Sequence, residues 1–552
     1  MQMRIHDDGA KMGMKPMLAL ALGALAVCLP RIASAQAGCT DFQAADFKKV
    51  PLVTGIDSPL KMGIAADGRI FYIERSGAVR LLKPGATAPV QALKLAVADG
   101  TQNEDGVLGI ALDPKFATNS WIYLYHTLAN PMGYRISRFT VVGDILDPAS
   151  EKVLMKWNHL FTSYGNLIIH GAGAIAFDPQ GNLLVSTGDL MHTTDGPTQT
   201  PVNEASQVYD AQRTSANSNS YFGKILRITP KDDGTYSVPA GNLFAAGTAN
   251  TLPEIYAMGV RNPFTLTIDP KTGWAYSGEV GPDGSDGAIP SQDEVNQIKA
   301  AGNFGWPYLT GDNQAYADIN GKKFDPANLV NNSKNNTGIK NLPAPVKSLF
   351  WYGYNSSWPI TGIKPNAGNR CIKIGGFYRF NPAGTNPKRL PPAMDNGFFM
   401  ANHNDNEPLR FFKLDDAGAL VSAKTVLTGL ARPISSEVGP DGALYVMEWG
   451  GDNGHWFNKA NGILSRVDYT GTCSTTSLAP RFLGTAFKKD ALVTLSPGSR
   501  IPFPDGANHA DAYDLKGGKL FSAHMELNRH GLQATVPGGV PAGLMYLKYR
   551  KD

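Results

Sequence analysis

One pattern recurs between residues 50 and 470 and narrows the possible folds more than any other feature of the chain. It is an apolar strand, a turn built on aspartate, then a second strand rich in aromatics. The copies read MGIAADGRIFYIER (62–75), LGIALDPKFATNSWIYLYH (108–126), GAIAFDPQGNLLVSTGD (173–189), FTLTIDPKTGWAYSGEVG (264–281) and SEVGPDGALYVMEWG (436–450). A degenerate copy surrounds GGFYRFNPAG (375–384) and FFMANHNDNEPLRFFKLDDAGAL (398–420). One hairpin type repeating at uneven spacing, with long insertions between copies, is what a β-propeller gives when the loops of one face have grown. The 60 glycines and 38 prolines, against 18% charged residues, suit short strands and tight turns. The expected fold class is all-β, a six-bladed β-propeller over residues 40–473. A linker (474–480) and a small C-terminal β-sandwich-like domain (481–552) follow, the latter with turns at PDG (504–506), KGG (516–518) and PGGVPAG (537–543).

The first 35 residues read as a secretory signal. Arg4, Lys11 and Lys15 precede the apolar run MLALALGALAVCLP (17–30), and Ala33, Ser34, Ala35 and Ala37 supply small residues for cleavage near Ala35 or Ala37. The expected location is secreted or periplasmic. The 14-residue run is too short to span a bilayer, and no transmembrane segment is expected elsewhere. Removing residues 1–35 takes the net charge from +4 to +2. With no basic block to track phosphates, nucleic acid is not an expected partner. Cys39, Cys371 and Cys473 remain, so one disulfide and one leftover thiol are expected in an oxidising compartment. A Cys39–Cys473 bridge would tie the ends of the main domain together, although the sequence leaves the pairing open. No CxxC motif occurs, which gives no support to a zinc knuckle or a covalently attached haem.

Three units carry the chemistry. His170 interrupts a strand–turn–strand pattern and is followed by Gly171, Ala172 and Gly173, whose small side chains leave room for a flat ligand beside the imidazole. An imidazole at a strand entrance can act as a general base near neutral pH. In MGVRNPFTLTIDP (258–270), Arg261 and Asn262 precede Pro263 at a strand start and aim a permanent cation and an amide at the same mouth. In SGEVGPDGSDGAIPSQDEVNQIKAAGNFGWP (277–307), Glu279, Asp283, Asp286, Asp293 and Glu294 place five carboxylates in a Gly-rich loop. Calcium, which takes six to eight oxygens, suits such a loop, although the spacing is not that of an EF-hand.

The segments EDGVLGIALDPKF (104–116), HGAGAIAFDPQGNLLVSTGD (170–189), GKILRITP (223–230), EIYAMGVRNPF (254–264), GEVGP followed by DEVNQI (278–298) and GNFGWP (302–307) together resemble the glucose/sorbosone dehydrogenase family. The likeness covers residues 50–470, in the family's order. DAQRTSANSNSYFGKILRI (210–228) looks closest to its sorbosone-dehydrogenase-like branch. The resemblance implies a six-bladed propeller using pyrroloquinoline quinone (PQQ) and Ca2+. It makes His170 the general base and puts Arg261 against the quinone carbonyls, with Asn262 in support. It places the carbonyls of Gly281 and Pro282 on the calcium that grips the cofactor, and matches Asp293 and Glu294 to a structural calcium. Glu104 and Arg432 are further cofactor-binding candidates. Glucose-oxidising members carry an acidic residue where this chain has Ile169, and glutamines at the positions of Leu190 and Glu104, so the resemblance leaves the sugar open.

The segment WYGYNSSWP (351–359) is expected on a long loop, where Trp351, Tyr354 and Trp358 would stack on a pyranose face. These readings converge on an exported PQQ- and calcium-dependent dehydrogenase of a sugar or sugar-derived aldehyde, passing electrons to a quinone or cytochrome the sequence does not identify. The alternatives are a calcium-dependent lactonase-like hydrolase and a non-catalytic binding propeller.

Overall fold

The computed structural model describes residues 39–98, 104–160, 169–191, 201–205, 209–282, 292–317, 321–353, 371–403, 407–450 and 461–471, together with strands between 490 and 550. The expected signal segment, Asp283, Asp286, Tyr354, Trp358, the linker 474–480 and Cys473 lie outside the described residues. Among those described, no helix is long and apolar enough to cross a membrane. The chain divides into two compact units, Met1–Cys473 and Ser474–Asp552.

The first unit is a ring of six four-stranded antiparallel blades. The innermost strands, in chain order, are Pro59–Ile64, Val107–Leu112, Ile175–Phe177, Thr265–Ile268, Ile372–Tyr378 and Pro433–Val438. Each packs against the innermost strand of the next blade, and the sixth returns to the first. The sixth blade is completed by the start of the chain: Phe47–Ile56 pairs with Gly462–Tyr469 as its outermost strand. Blade 3 carries two additions, Tyr236–Ser237 and the parallel strand Gly302–Asn303.

The repeated aspartates explain why the chain turns where it does. Asp67, Asp113, Asp178, Asp269 and Asp441 each accept a hydrogen bond, through a side-chain oxygen, from the backbone N–H two residues on (2.8–3.1 Å). This local bond closes the link between the first and second strands of a blade. The degenerate copy obeys the same rule with an amide: Asn381 accepts from Ala383 N–H at 3.0 Å in the first link of blade 5.

Side-chain burial falls from the axis outward. Leu183–Thr187 and Ile372–Tyr378 are buried at every position, because each is covered by blades on both faces. The outermost strands Phe47–Ile56 and Leu420–Leu427 mix buried and exposed positions. Between blades 4 and 5, Phe350 stacks on Phe412 at 5.3 Å and Phe398 stacks on the same ring at 5.5 Å. Each such pair contributes about 0.5–1.5 kcal/mol beyond its buried area.

The second unit has a four-stranded sheet of Asp490–Leu495, Gly543–Arg550, His509–Tyr513 and Lys519–His524, in that order, and a hairpin of Glu526–Asn528 with Gly531–Gln533.

Candidate active site

Every blade delivers a polar group to the same end of its innermost strand. Lys61 lies near the start of that strand in blade 1, Glu104 just ahead of it in blade 2, His170 in blade 3, Arg261 and Asn262 in blade 4, Cys371 and Lys373 in blade 5, and Arg432 in blade 6. Strand register breaks at this end in blades 1, 2 and 6, between Pro59 and Met62, Val107 and Gly109, and Pro433 and Ser435. Bulges of this kind re-aim side chains at the rim of a sheet. His170 (φ 50°), Ala172 (φ 52°), Leu190 (φ 61°) and Arg432 (φ 55°) adopt left-handed backbone without being glycine. Such conformations cost about 1–3 kcal/mol each and concentrate where function holds them.

His170 is 4% exposed, and its Nδ1 lies 2.7 Å from Asp189 Oδ1. Asp189 accepts further hydrogen bonds from Met191 N–H at 2.9 Å and from the Trp306 indole at 2.8 Å. An aspartate so surrounded by donors acts as acceptor toward the imidazole too, making Nδ1–H the donor and leaving the lone pair on Nε2. Among the described residues Nε2 has no hydrogen-bonding partner, and it is not sealed from solvent.

The small residues after His170 serve packing more than ligand clearance. A Cβ on Gly173 would lie 2.4 Å from Leu108 Cβ, and one on Gly109 would lie 2.2 Å from Gly173 O, so these positions let blades 2 and 3 approach. Ala172 is fully buried. On the other side of the histidine, a Cβ on Gly188 would sit 1.7 Å from His170 O. Gly188→Ala is therefore expected to displace the His170 backbone, destabilising the protein by about 2 kcal/mol or more and removing turnover. A thermal melt checks this, and an unchanged melting curve would contradict it.

Glu104 bridges the second and fourth blades. Its Oε2 accepts from Gly171 N–H at 3.0 Å, and both oxygens lie 3.2–3.3 Å from the Asn262 amide nitrogen. Asn262 Oδ1 is buried with no hydrogen-bond partner among the described residues. Arg261 is 3% exposed and donates from Nη1 to Val280 O at 2.8 Å, while its backbone N–H donates to Glu279 Oε1 at 2.5 Å. Burial, with the Glu294 charge nearby, raises the Glu279 carboxyl well above the usual range.

Two cations that sequence reasoning missed face the same centre. The ammonium groups of Lys61 and Lys373 each lie 4.4 Å from the Phe264 ring centroid, which puts them no more than about 9 Å apart. Lys61 donates to Leu108 O at 2.7 Å, and Lys373 approaches Cys371 Sγ at 3.1 Å. Burial, then the Lys373 charge, pulls the Lys61 pKa down to about 7, with Glu104 and Glu437 opposing the fall. Burial raises Glu437 to about 8, with Lys61 opposing. Burial, then Lys373 and Arg432, holds His403 well below the usual histidine range. A lysine framed by apolar residues at the start of an inner strand, LKM at 60–62 and IKI at 372–374, was the available signal.

The carboxylates expected at calcium are engaged with the chain. Asp293 accepts from Gly281 N–H at 3.0 Å and Ile372 N–H at 2.9 Å; Glu294 Oε1 accepts from the Thr310 hydroxyl at 2.8 Å and Gly311 N–H at 2.5 Å. Burial raises Glu294 to about 7. Among the described residues, no three His, Cys, Asp or Glu side chains converge on one point. Gly281 is tightly placed, since a Cβ there would lie 1.6 Å from Gln292 O. Trp351 departs from the expected loop. It stands on Phe350–Tyr352, the outermost strand of blade 4, opposite Glu294 and against Gly311. No described contact joins it to the His170 group.

Cys39 is disulfide-bonded, to a partner outside the described residues, and Cys371 is the free thiol among those described. Burial raises the Cys371 pKa to about 11.

Fold and site together define a six-bladed propeller with a cation-rich centre at one end of its inner strands. The glucose/sorbosone dehydrogenase family model matches residues 56–334, and the chain belongs to that family. It is 31% identical over 277 residues to an uncharacterised protein of Synechocystis, covering 48% of this chain and 60% of that one. It is 24% identical over 325 residues to quinoprotein glucose dehydrogenase B of Acinetobacter calcoaceticus, covering 58% and 65% respectively. The chain thus spans less than two thirds of either relative's length. Among solved structures, a putative oxidoreductase (glucose dehydrogenase) of Thermus thermophilus matches with a TM-score of 0.52 at 26% identity, over 76% of this chain and 99% of that one.

Proposed function

We propose that the protein is an exported PQQ-dependent dehydrogenase that oxidises the hydroxyl of a cyclic sugar, or the hydrated aldehyde of a sugar derivative. The observation that carries this reading is the His170–Asp189 pair at 2.7 Å, set among groups contributed by all six blades. The quinoprotein relative supports the choice of cofactor. The residues also suit it: PQQ is a tricarboxylate, and Lys61, Lys373, Arg432 and Arg261 supply cations around the centre. Asn262 Oδ1, buried and unbonded, offers an acceptor to a ligand in the same place. These cations favour a quinone enzyme over a propeller that only binds.

Bound there, PQQ would supply the hydride acceptor. The chain's own part begins at His170 Nε2, which takes the proton from the substrate hydroxyl as the C–H bond gives up its hydride. Asp189 holds the ring by Nδ1 and stabilises the imidazolium that results. Arg261, anchored through Val280 O, offers positive charge where the acceptor becomes negative. Glu104 and Asn262 fix each other and the backbone at Gly171. Calcium, which the carbonyls of Gly281 and Pro282 would hold, belongs to the proposal, while Asp293 and Glu294 serve as acceptors for the chain.

The test is titration of the purified protein with PQQ and calcium, followed by dye reduction over a panel of sugars and aldehydes. Absence of both PQQ binding and activity would sink the reading. PQQ affinity is expected to fall as pH rises above about 7. Below that value Lys61 is charged in the free protein; above it, binding an anion must take up a proton. Ionisation of Glu437 near 8 acts in the same direction. Titrations across this range check the slope, which Lys61→Met should flatten.

A further inference from the structure

We propose that Trp306 is a positioning residue for His170: its indole, acting through Asp189, fixes the imidazole and sets how readily Nε2 takes the substrate's proton. This role rests on the dehydrogenase reading above, and it gives the GNFGWP segment (302–307) a task in it.

The chain brings Trp306 to the base along blade 3. Gly302–Asn303 runs parallel to Ile255–Met258. The backbone then continues with Phe304 N–H on Met258 O at 2.8 Å and Trp306 N–H on Gly259 O at 3.0 Å. Two glycines permit so close an approach. A Cβ on Gly259 (φ 73°) would lie 2.3 Å from Asn303 Oδ1, and one on Gly305 (φ 90°) would lie 2.8 Å from Leu309 Cβ. Tyr316 meets the indole edge-on at 5.5 Å, and the Trp306 side chain is buried.

Asp189 is fully buried, so its two oxygens depend on donors from the protein. Oδ1 is shared by the His170 ring and Met191 N–H, whereas Oδ2 takes the Trp306 indole at 2.8 Å and, among the described residues, no other donor. A donor on Oδ2 draws negative charge away from Oδ1, which weakens both the pull of Asp189 on the ring proton and its stabilisation of an imidazolium. The other charged groups around the pair are Arg261 and Glu279 on the blade 4 side, Glu104 of blade 2 and Lys224 one strand out in blade 3. Each of these is bonded elsewhere in the chain, so none substitutes for the indole on Oδ2. The Trp306 ring also lies 6.0 Å from the Arg261 guanidinium. One side chain thus contacts both the support of the base and the cation assigned to the acceptor.

Trp306→Phe keeps a ring against Tyr316 and deletes the N–H. Histidine NMR on the isotope-labelled full chain, without cofactor or substrate, reads the result directly, the His170 signal being the one lost in His170→Ala. The His170–Asp189 pair titrates as a unit. Without the indole its anionic state loses a donor, so it takes up a proton at higher pH, and the His170 midpoint should rise by about half to one pH unit. In dye reduction by the PQQ-loaded protein, the acid limb of kcat/KM should move upward by the same amount, because less Nε2 is free at a given pH. A mere loss of packing would lower the rate at every pH and leave the limb in place. Should Trp306→Phe fail to fold, Trp306→benzothienylalanine, with sulfur for N–H in a ring of the same size, carries the same expectation. An unmoved or lowered His170 midpoint overturns the role. A raised midpoint in a protein that neither binds PQQ nor turns over would support the role and remove the dehydrogenase reading, whereas an unmoved midpoint in an active enzyme would do the reverse.

Discussion

Replacing His170 with alanine is expected to lower turnover by about 10²- to 10⁴-fold, the usual contribution of a positioned general base, while PQQ still binds. The imidazole is fixed from behind by Asp189, itself fixed by Met191 N–H and the Trp306 indole, so alanine removes a reactive group without removing its support. Asp189→Asn should cost nearly as much by another route. Its amide can donate to Nδ1, which moves the ring proton to Nε2 and blocks proton uptake there. The two variants should share near-normal cofactor titrations and differ from wild type in kcat more than in KM. Steady-state dye reduction with cofactor in excess measures this. Turnover of His170→Ala within about tenfold of wild type would place the base elsewhere.

Lys373→Met is expected to weaken PQQ binding by roughly 10- to 100-fold, corresponding to about 1.5–3 kcal/mol for a hydrogen bond to a charged group. The substitution has a second effect that identifies its cause. The Lys373 charge depresses Lys61, so its removal should raise the Lys61 pKa from about 7. The pH at which PQQ affinity declines then moves upward in Lys373→Met. A variant that bound PQQ as tightly as wild type would show that the two lysines are not the clamp for its carboxylates. Loss of affinity with an unmoved pH profile would instead separate Lys373 from Lys61.

The blades were legible because their signal is local. An aspartate that bonds to the second N–H downstream marks each turn whatever the length of the insertion that follows, and even the degenerate copy kept its Asn381. His170, Arg261, Asn262 and Glu104 could be picked out because each stands just ahead of an inner strand. Asp189 escaped notice in its functional role because its partnership with His170 is made through space, across 19 positions, by a tight return at Gly188. Lys61 and Lys373 were hidden differently. Alternation within a strand suggests a solvent-facing lysine, whereas at a propeller's axis both faces of an inner strand are enclosed. Gly173 misled in the opposite direction: a missing side chain looks the same in sequence whether a ligand or a neighbouring strand fills the space.

The pairing of Phe47–Ile56 with Gly462–Tyr469 also bears on how the protein comes into being. The propeller's first strand in chain order must wait for its last before its edge is covered. Closing so long a loop adds little to its entropic cost, which grows only with the logarithm of length. It does delay the event, since contacts between distant segments form late. A chain still emerging from a ribosome or a translocation channel can assemble blades 1 to 5 in order, yet cannot seal the ring. Completion of the His170 surroundings, which draw on all six blades, is therefore tied to release of the whole propeller, so a truncated product would hold folded blades and no working centre.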